Sequence, residues 1–279
     1  MSVLLRMARS PTGGIGLFLV SLLVAITIFG NLLAPQSPTA INVHHRLEPP
    51  DAAHWLGTDQ LGRDTYTRVI LGTRTTIGVA LGSISLAMLG ALTLGLIAGY
   101  GPTWLDSLLI LLFDSASALP MIMLALAAAA LIGPGITTVI TVIVLYCTPS
   151  YARMVRSQTL SIKQRDFLLA ARAMNISTPA ILARHLLPHV AGPLLIVACM
   201  DIATVIGLDA GLNFLGLGAD LRTPNWGRIL NDGLALIRIT PVPVIAAGVP
   251  LVLATLGFTF FGESLSEALD PKLRARLAP

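Results

Sequence analysis

Charge, lysine and catalytic residue patterns are all scarce in this 279-residue chain. Only 11% of its residues are charged, and two of them are lysines, Lys163 after Ile162 and Lys272 after Pro271. No glycine-lysine pair therefore exists from which to build a phosphate-cradling loop, so the chain is not a conventional ATPase by itself. Cys147 and Cys199 both sit in apolar segments and suggest neither a disulfide framework nor a paired-cysteine metal motif. The histidines, His44, His45, His54, His185 and His189, form no His-Glu-x-x-His pattern, and no serine lies in a Gly-x-Ser-x-Gly elbow. His44, His45 and His54 read as ordinary loop histidines, with a shared outer-face metal as the sharper alternative. On the plainer reading of those histidines the residues suggest no enzyme active site, metal site or cofactor site.

What the chain does have is apolar length. At 54% hydrophobic residues and a mean hydropathy of +0.81, it carries more apolar side chain than a soluble core can bury. It reads as an all-α integral membrane protein. Apolar runs predict six transmembrane helices, at Ile15–Ala34, Thr76–Tyr100, Ser107–Ile132, Ile136–Tyr151, Pro193–Leu215 and Val242–Gly262. Gly99-Tyr100-Gly101-Pro102 and Gly133-Pro134-Gly135 read as turns between them. The first run exceeds a signal-peptide core, and Pro35 follows Ala34, so it reads as a retained span.

Six spans put both termini on one side. An inside N-terminus places eleven lysines and arginines in the cytoplasm and seven outside, the orientation expected from positive-inside bias. The net charge of +4 then reports topology; no soluble basic domain is present to bind nucleic acid. The resulting organisation is a cytoplasmic N-terminus and first helix over 1–34, an extracytoplasmic loop or cap over 35–75, a five-helix transmembrane domain over 76–265 with a cytoplasmic loop at 151–190, and a cytoplasmic tail over 266–279.

The loop from Tyr151 to Val190 gathers Arg153, Arg156, Lys163, Arg165, Arg172 and Arg184 between apolar segments. Ser161–Met174 lacks glycine and proline, and Phe167, Ala170, Ala171 and Met174 can line one helical face. Asn175 suits a left-handed helix end, and Thr178-Pro179 reads as an N-cap with a first-turn proline, opening a second helix that stops before Pro188. An interfacial amphipathic loop with snorkelling arginines is the plainer alternative.

The run Leu169-Ala170-Ala171-Arg172-Ala173-Met174-Asn175, with His185-Leu186-Leu187-Pro188 after it, resembles the EAA loop of ABC transporter permeases. The family's glutamate is Leu169 here and its glycine is Asn175. His54-Trp55-Leu56-Gly57-Thr58-Asp59-Gln60-Leu61-Gly62-Arg63-Asp64 resembles an outer-loop signature of the second permease subunit in the dipeptide, oligopeptide and nickel import branch. Gly211–Gly218, Thr223–Gly227 and Ala268–Arg274 are similar to three further signatures in the same order. On residue chemistry alone, Asp64 caps a helix, the glycine-rich run packs helices closely, and the last is a frayed tail.

The resemblance implies a type I ABC importer permease fold in a bacterial or archaeal plasma membrane. It implies a homologous second permease, two ATP-binding subunits or one fused, and an extracytoplasmic solute-binding protein, with ATP and magnesium held by partners and not by this chain. The substrate implied is a dipeptide or oligopeptide, with a nickel chelate or another small solute as the alternative. Coupling to the ATPase falls on Arg165, Asp166, Phe167, Leu169, Ala170, Ala171, Arg172, Met174 and Asn175. Intramembrane acids Asp114, Asp201 and Asp209 are candidates for pathway or gating roles, or else are satisfied between helices. At Asp114 the family's upstream arginine is Leu111, so its obvious partner is missing. Trp55, Asp59, Arg63 and Asp64 are placed at the binding-protein contact or outer gate, with a purely structural cap as the alternative. A secondary transporter is disfavoured by the lack of a visible internal repeat. A scaffold does not account for several signatures in family order.

Overall fold

The computed structural model describes residues 3–8, 10–218, 220 and 222–269, and among them the secondary structure is helical, with one isolated antiparallel bridge between Thr58 and Asp64. Arg9, Lys272, Arg274, Arg276 and most of the tail signature at 268–274 lie outside the described residues.

A short α1 (Val3–Met7) leads into α2 (Pro11–Leu33). Ser10 caps α2, its Oγ accepting from the Gly13 N–H at 3.1 Å, with Pro11 pre-set for the first turn. After a polar loop come α3 (Thr65–Tyr100), α4 (Thr103–Ser117), α5 (Met121–Ile132) and α6 (Ile136–Lys163). Then follow α7 (Asp166–Ala173), α8 (Thr178–Ile181), a π turn (Leu182–Leu186), α9 (Leu187–Phe214), α10 (Trp226–Leu234) and α11 (Val242–Leu269). Five helical stretches among the described residues are long and apolar enough to cross a membrane, or six if α4 and α5 count as one broken span.

That break corrects the expected continuous span Ser107–Ile132. The pair bends by 93°, and its cause is Pro120, which disfavours helical backbone at Leu119. Two other boundaries move as well. The fourth span continues past Tyr151, through Pro149, to Lys163. The second helix of the 151–190 loop opens with Ser177, not Thr178, at the N-cap, and it does not stop before Pro188. The backbone widens instead: the Leu187 N–H bonds the Leu182 carbonyl in the π turn, and the helix runs on to Phe214.

Contacts divide the chain into two units, one of Met1–Leu81, Ala125–Ile140 and Cys199–Pro279, the other of Gly82–Leu124 and Thr141–Ala198. In the first unit, α2 packs along α11 with α1 laid against both. Small residues set that approach: a Cβ on Gly16 would stand 2.6 Å from the Phe261 nitrogen, and one on Gly257 2.8 Å from Leu19 Cβ. Between lipid-embedded helices, where burial from water is not the driving force, such close backbone packing supplies the attraction. The second unit repeats the device. Cβ atoms on Gly95 and Gly99 would lie 2.7 Å from the Ala152 carbonyl oxygen and 2.6 Å from Thr159 Cβ, so α3 and α6 meet through a small-xxx-small stripe.

Candidate functional site

Helix α7 stands between two spans and is closed at both ends. Its first turn hangs on the Arg165 carbonyl, which accepts from the Leu168 and Leu169 N–H groups at 3.0 and 3.3 Å, and Asp166 puts an acid beside the positive helix end. At the other end Asn175 takes φ 59°, and the Ile176 N–H bonds the Ala171 carbonyl at 3.2 Å, a Schellman closure. The left-handed asparagine expected from sequence is therefore present.

The face composition differs from expectation. Leu168 and Ala171 turn inward, at 0% and 2% exposure, and pack on the chain itself. Leu169 and Met174 stand out, at 52% and 69%, with Ala170 exposed beside them. Ala171 thus leaves the outward set. Phe167 is divided: one side is open, while the ring stacks at 5.7 Å on His189 and meets His185 at 6.3 Å. Arg165 is exposed, and the Arg172 side chain lies outside the described residues.

Three cations before α7, Arg153, Arg156 and Lys163, find partners within the chain. Arg156 grips Asp106 through two hydrogen bonds, Nε to Oδ1 at 2.5 Å and Nη2 to Oδ2 at 2.7 Å. Lys163 donates to the Tyr100 carbonyl at 3.2 Å, the favourable place for a cation at the C-terminal end of α3. Arg153 Nη1 reaches Asp114 Oδ1 at 3.4 Å and Ser117 Oγ at 3.1 Å. Asp114 therefore does have a partner, supplied from α6 instead of from its own helix.

The loop before α3 folds over a buried ion cluster. Asp59 Oδ1 accepts from the Leu61 and Arg63 N–H groups at 2.8 and 3.0 Å, while Oδ2 accepts from Arg63 Nε at 2.7 Å and from Arg68 Nη1. Asp232 of α10 completes it, 3.8 Å from both Arg63 and Arg68 and 3.3 Å from Arg228. Asp64 caps α3 as expected, Oδ2 accepting from the Thr67 N–H at 2.7 Å, while Oδ1 meets His54 Nδ1 at 2.9 Å. Gly62, at φ 71°, is required here, because a Cβ would fall 1.8 Å from the Asn42 carbonyl oxygen. Asp59, Arg63 and Asp64 are thus internal struts; of the four residues expected at an outer contact or gate, Trp55 is the one that is broadly exposed, its ring 4.9 Å from Tyr66.

The three intramembrane acids separate. Asp209 is fully buried, with Oδ1 accepting from Asn213 Nδ2 at 2.8 Å and Oδ2 from Asn225 Nδ2 at 2.9 Å. Asn225 also caps α10, its Oδ1 accepting from the Gly227 N–H at 2.8 Å, and reaches Thr76 Oγ1 at 3.2 Å. Asp201 is half-buried on α9, and Asp114 is exposed. Among the described residues no group of three or more histidines, cysteines or acids is arranged to hold a metal ion. Sequence reasoning missed Asp106, whose partner Arg156 is fifty residues away, and Arg68 and Asp232, which meet across the chain, although Asp232 at i,i+4 from Arg228 and Asn213 at i,i+4 from Asp209 were usable signals.

The family described as binding-protein-dependent transport system inner membrane component matches residues 91–275, and the N-terminal TM domain of oligopeptide transport permease C matches residues 2–50. A dipeptide transport system permease protein, DppC, of Alkalihalophilus pseudofirmus is 37% identical over 97% of this chain and 89% of its own. A glutathione transport system permease protein, GsiD, of Pectobacterium atrosepticum is 38% identical over 93% of this chain and 86% of its own. In fold, an inward-facing structure of the MetNI methionine ABC transporter superposes with a TM-score of 0.60 at 18% identity, over 73% of this chain and 97% of that one. The chain belongs to the binding-protein-dependent transport system inner membrane components, as a multi-pass permease of the type I importer fold resembling the oligopeptide and dipeptide permease C proteins.

Proposed function

We propose that this chain is one of two permease subunits of an ATP-driven importer of short peptides, and that α7 is the element through which separate ATPase subunits move it. The observation that carries this reading is the outward face of α7. Leu169, Ala170, Met174 and the open side of Phe167 form a small apolar patch on a helix braced from below by Leu168 and Ala171. A patch of that kind, rimmed by Arg165 and Asp166, suits a docking groove with an apolar centre and a polar edge. Bracing matters because a lever transmits motion only if its own base does not yield.

On this reading the N-terminus and α7 are cytoplasmic, the 35–75 segment is outside, and α3, which begins in that segment, crosses the membrane to end at Tyr100, where Lys163 holds its last carbonyls. A second, homologous permease completes the pathway. An extracytoplasmic binding protein delivers solute at the outer face, where Trp55 is the exposed aromatic of the loop. ATP and magnesium belong to the ATPase subunits. Dipeptide and glutathione permeases among the relatives support a peptide cargo, glutathione being itself a tripeptide. Labelled dipeptide uptake in cells with and without the chain, competed by unlabelled dipeptides, glutathione and a nickel chelate, tests both levels. Chain-dependent uptake blocked by peptides is expected. Uptake independent of the chain removes the transport reading, and competition by nickel chelate alone removes the peptide one.

A further inference from the structure

The ion cluster before α3 leaves one carboxylate oxygen outside its hydrogen bonds. Asp232 is 8% exposed, yet no protein donor bonds its Oδ2. Two guanidinium nitrogens, Arg63 Nη2 and Arg68 Nη2, each stand 3.8 Å from that oxygen, beyond direct hydrogen-bond length. Both arginines are already held by Asp59, which accepts from Arg63 Nε at 2.7 Å and from Arg68 Nη1, so they are not free to close on Asp232. A buried carboxylate oxygen without a donor is costly, and a polar gap of this length is one that a water commonly fills.

The gap has room in it. Asp59, Thr65, Arg68 and Asp232 line a pocket with Ile229 and Pro243, all within one compact unit of the chain, and the walls leave about 10 Å³ in which the centre of a water molecule can stand. That is close to the least space that admits one water. Thr65, the first residue of α3 and 2% exposed, brings a second oxygen to the pocket wall, and its hydroxyl also bonds no protein group. The charges select the ligand. A cation here would lie among guanidiniums, and an anion among carboxylates, because both signs meet within a few ångströms. A neutral molecule that donates and accepts satisfies both.

We propose that this pocket is a binding site for one ordered water, which accepts from Arg68 Nη2 and donates to Asp232 Oδ2 and Thr65 Oγ1. The water completes the ion cluster. It adds a second tie between α10 and α3, beside the direct bond from Trp226 Nε1 to the Val69 carbonyl at 3.0 Å, while Asp232 Oδ1 faces Arg228 on its own helix. The site is independent of the cargo and of any ATPase partner.

Crystals of the purified protein, at a resolution that shows ordered waters, read the site directly. One isolated peak is expected about 2.7–3.2 Å from Asp232 Oδ2 and from Arg68 Nη2. An empty pocket overturns the proposal, and so does an anomalous signal there after soaking in bromide or rubidium, which would make the ligand an ion. Thr65→Val tests the same bridge by the sign of its effect on thermal unfolding. Valine keeps the shape of threonine and lacks the hydroxyl. If the hydroxyl is paired with water, its loss lowers the melting transition; if it is buried without a partner, its removal leaves the transition unchanged or raises it. A lower transition is expected, and an unchanged or higher one overturns the bridge.

Discussion

Asn225 Nδ2 donates to Asp209 Oδ2 at 2.9 Å, joining the residue that opens α10 to an acid within α9, and the same nitrogen reaches Thr76 on α3. One buried amide therefore ties three helices, while its oxygen caps the helix it begins. The glycine after it permits the arrangement: a Cβ on Gly227 would stand 2.1 Å from the Ala210 carbonyl oxygen.

Asn225→Ala removes the α10 cap and leaves the buried Asp209 carboxylate one donor short. A loss of about 1–3 kcal/mol is expected from the stranded acceptor alone. Thermal unfolding of the purified complex should show a lower transition for Asn225→Ala than for Asp209→Asn, which retains hydrogen-bonding atoms at both positions. Equal transitions contradict the lock.

Gly62→Ala forces a side chain into the Asn42 carbonyl at a left-handed backbone position. The loop before α3 is expected to lose its closure over Asp59 and Arg63, becoming sensitive to protease added to the purified protein. The spans themselves should still insert, since none of their apolar length is altered.

Arg156→Met breaks the bidentate grip on Asp106 and leaves that acid at the start of α4 without its guanidinium. Removing one member of a partly buried, charge-assisted pair is expected to cost about 1–3 kcal/mol. Adding Asp106→Leu should recover part of it, because the stranded carboxylate goes too. Detergent melting curves of the single and double variants read the difference directly.

Much of this was legible in sequence for identifiable reasons. Five of the six apolar runs emerged because roughly twenty residues are needed to cross the bilayer, and Asn175 was readable because few residues other than glycine accept φ near 59°. Asp64 declared itself as a cap by its place before Thr65. The break at Pro120 was readable in principle, but a continuous apolar run masks it. The extension of α6 to Lys163 was hidden because charged residues were taken to end a span, whereas Arg153 and Arg156 are neutralised by Asp114 and Asp106 from α4. Periodicity also misjudged α7. Its apolar residues occupy overlapping i,i+3 and i,i+4 rows, so spacing did not decide between Phe167-Ala170-Met174 and Leu168-Ala171 as the inner face.

That last point changes which variant is informative. Ala171→Asp buries a carboxylate within the chain and is expected to impair folding. Ala170→Asp and Met174→Glu place the charge on the open face, and both are expected to leave the permease assembled in the membrane while transport falls. Membrane levels of the chain, measured alongside uptake, separate the two effects.

Docking of α7 into the ATPase through its outward face is tested most directly by site-directed crosslinking within the assembled importer. With both native cysteines replaced, Met174→Cys, at the most exposed position of that face, should crosslink efficiently to the ATPase subunit, and Leu168→Cys, at a fully buried one, should not. Crosslinking at 168 but not at 174, or none at 174 in a complex that still transports, contradicts the claim.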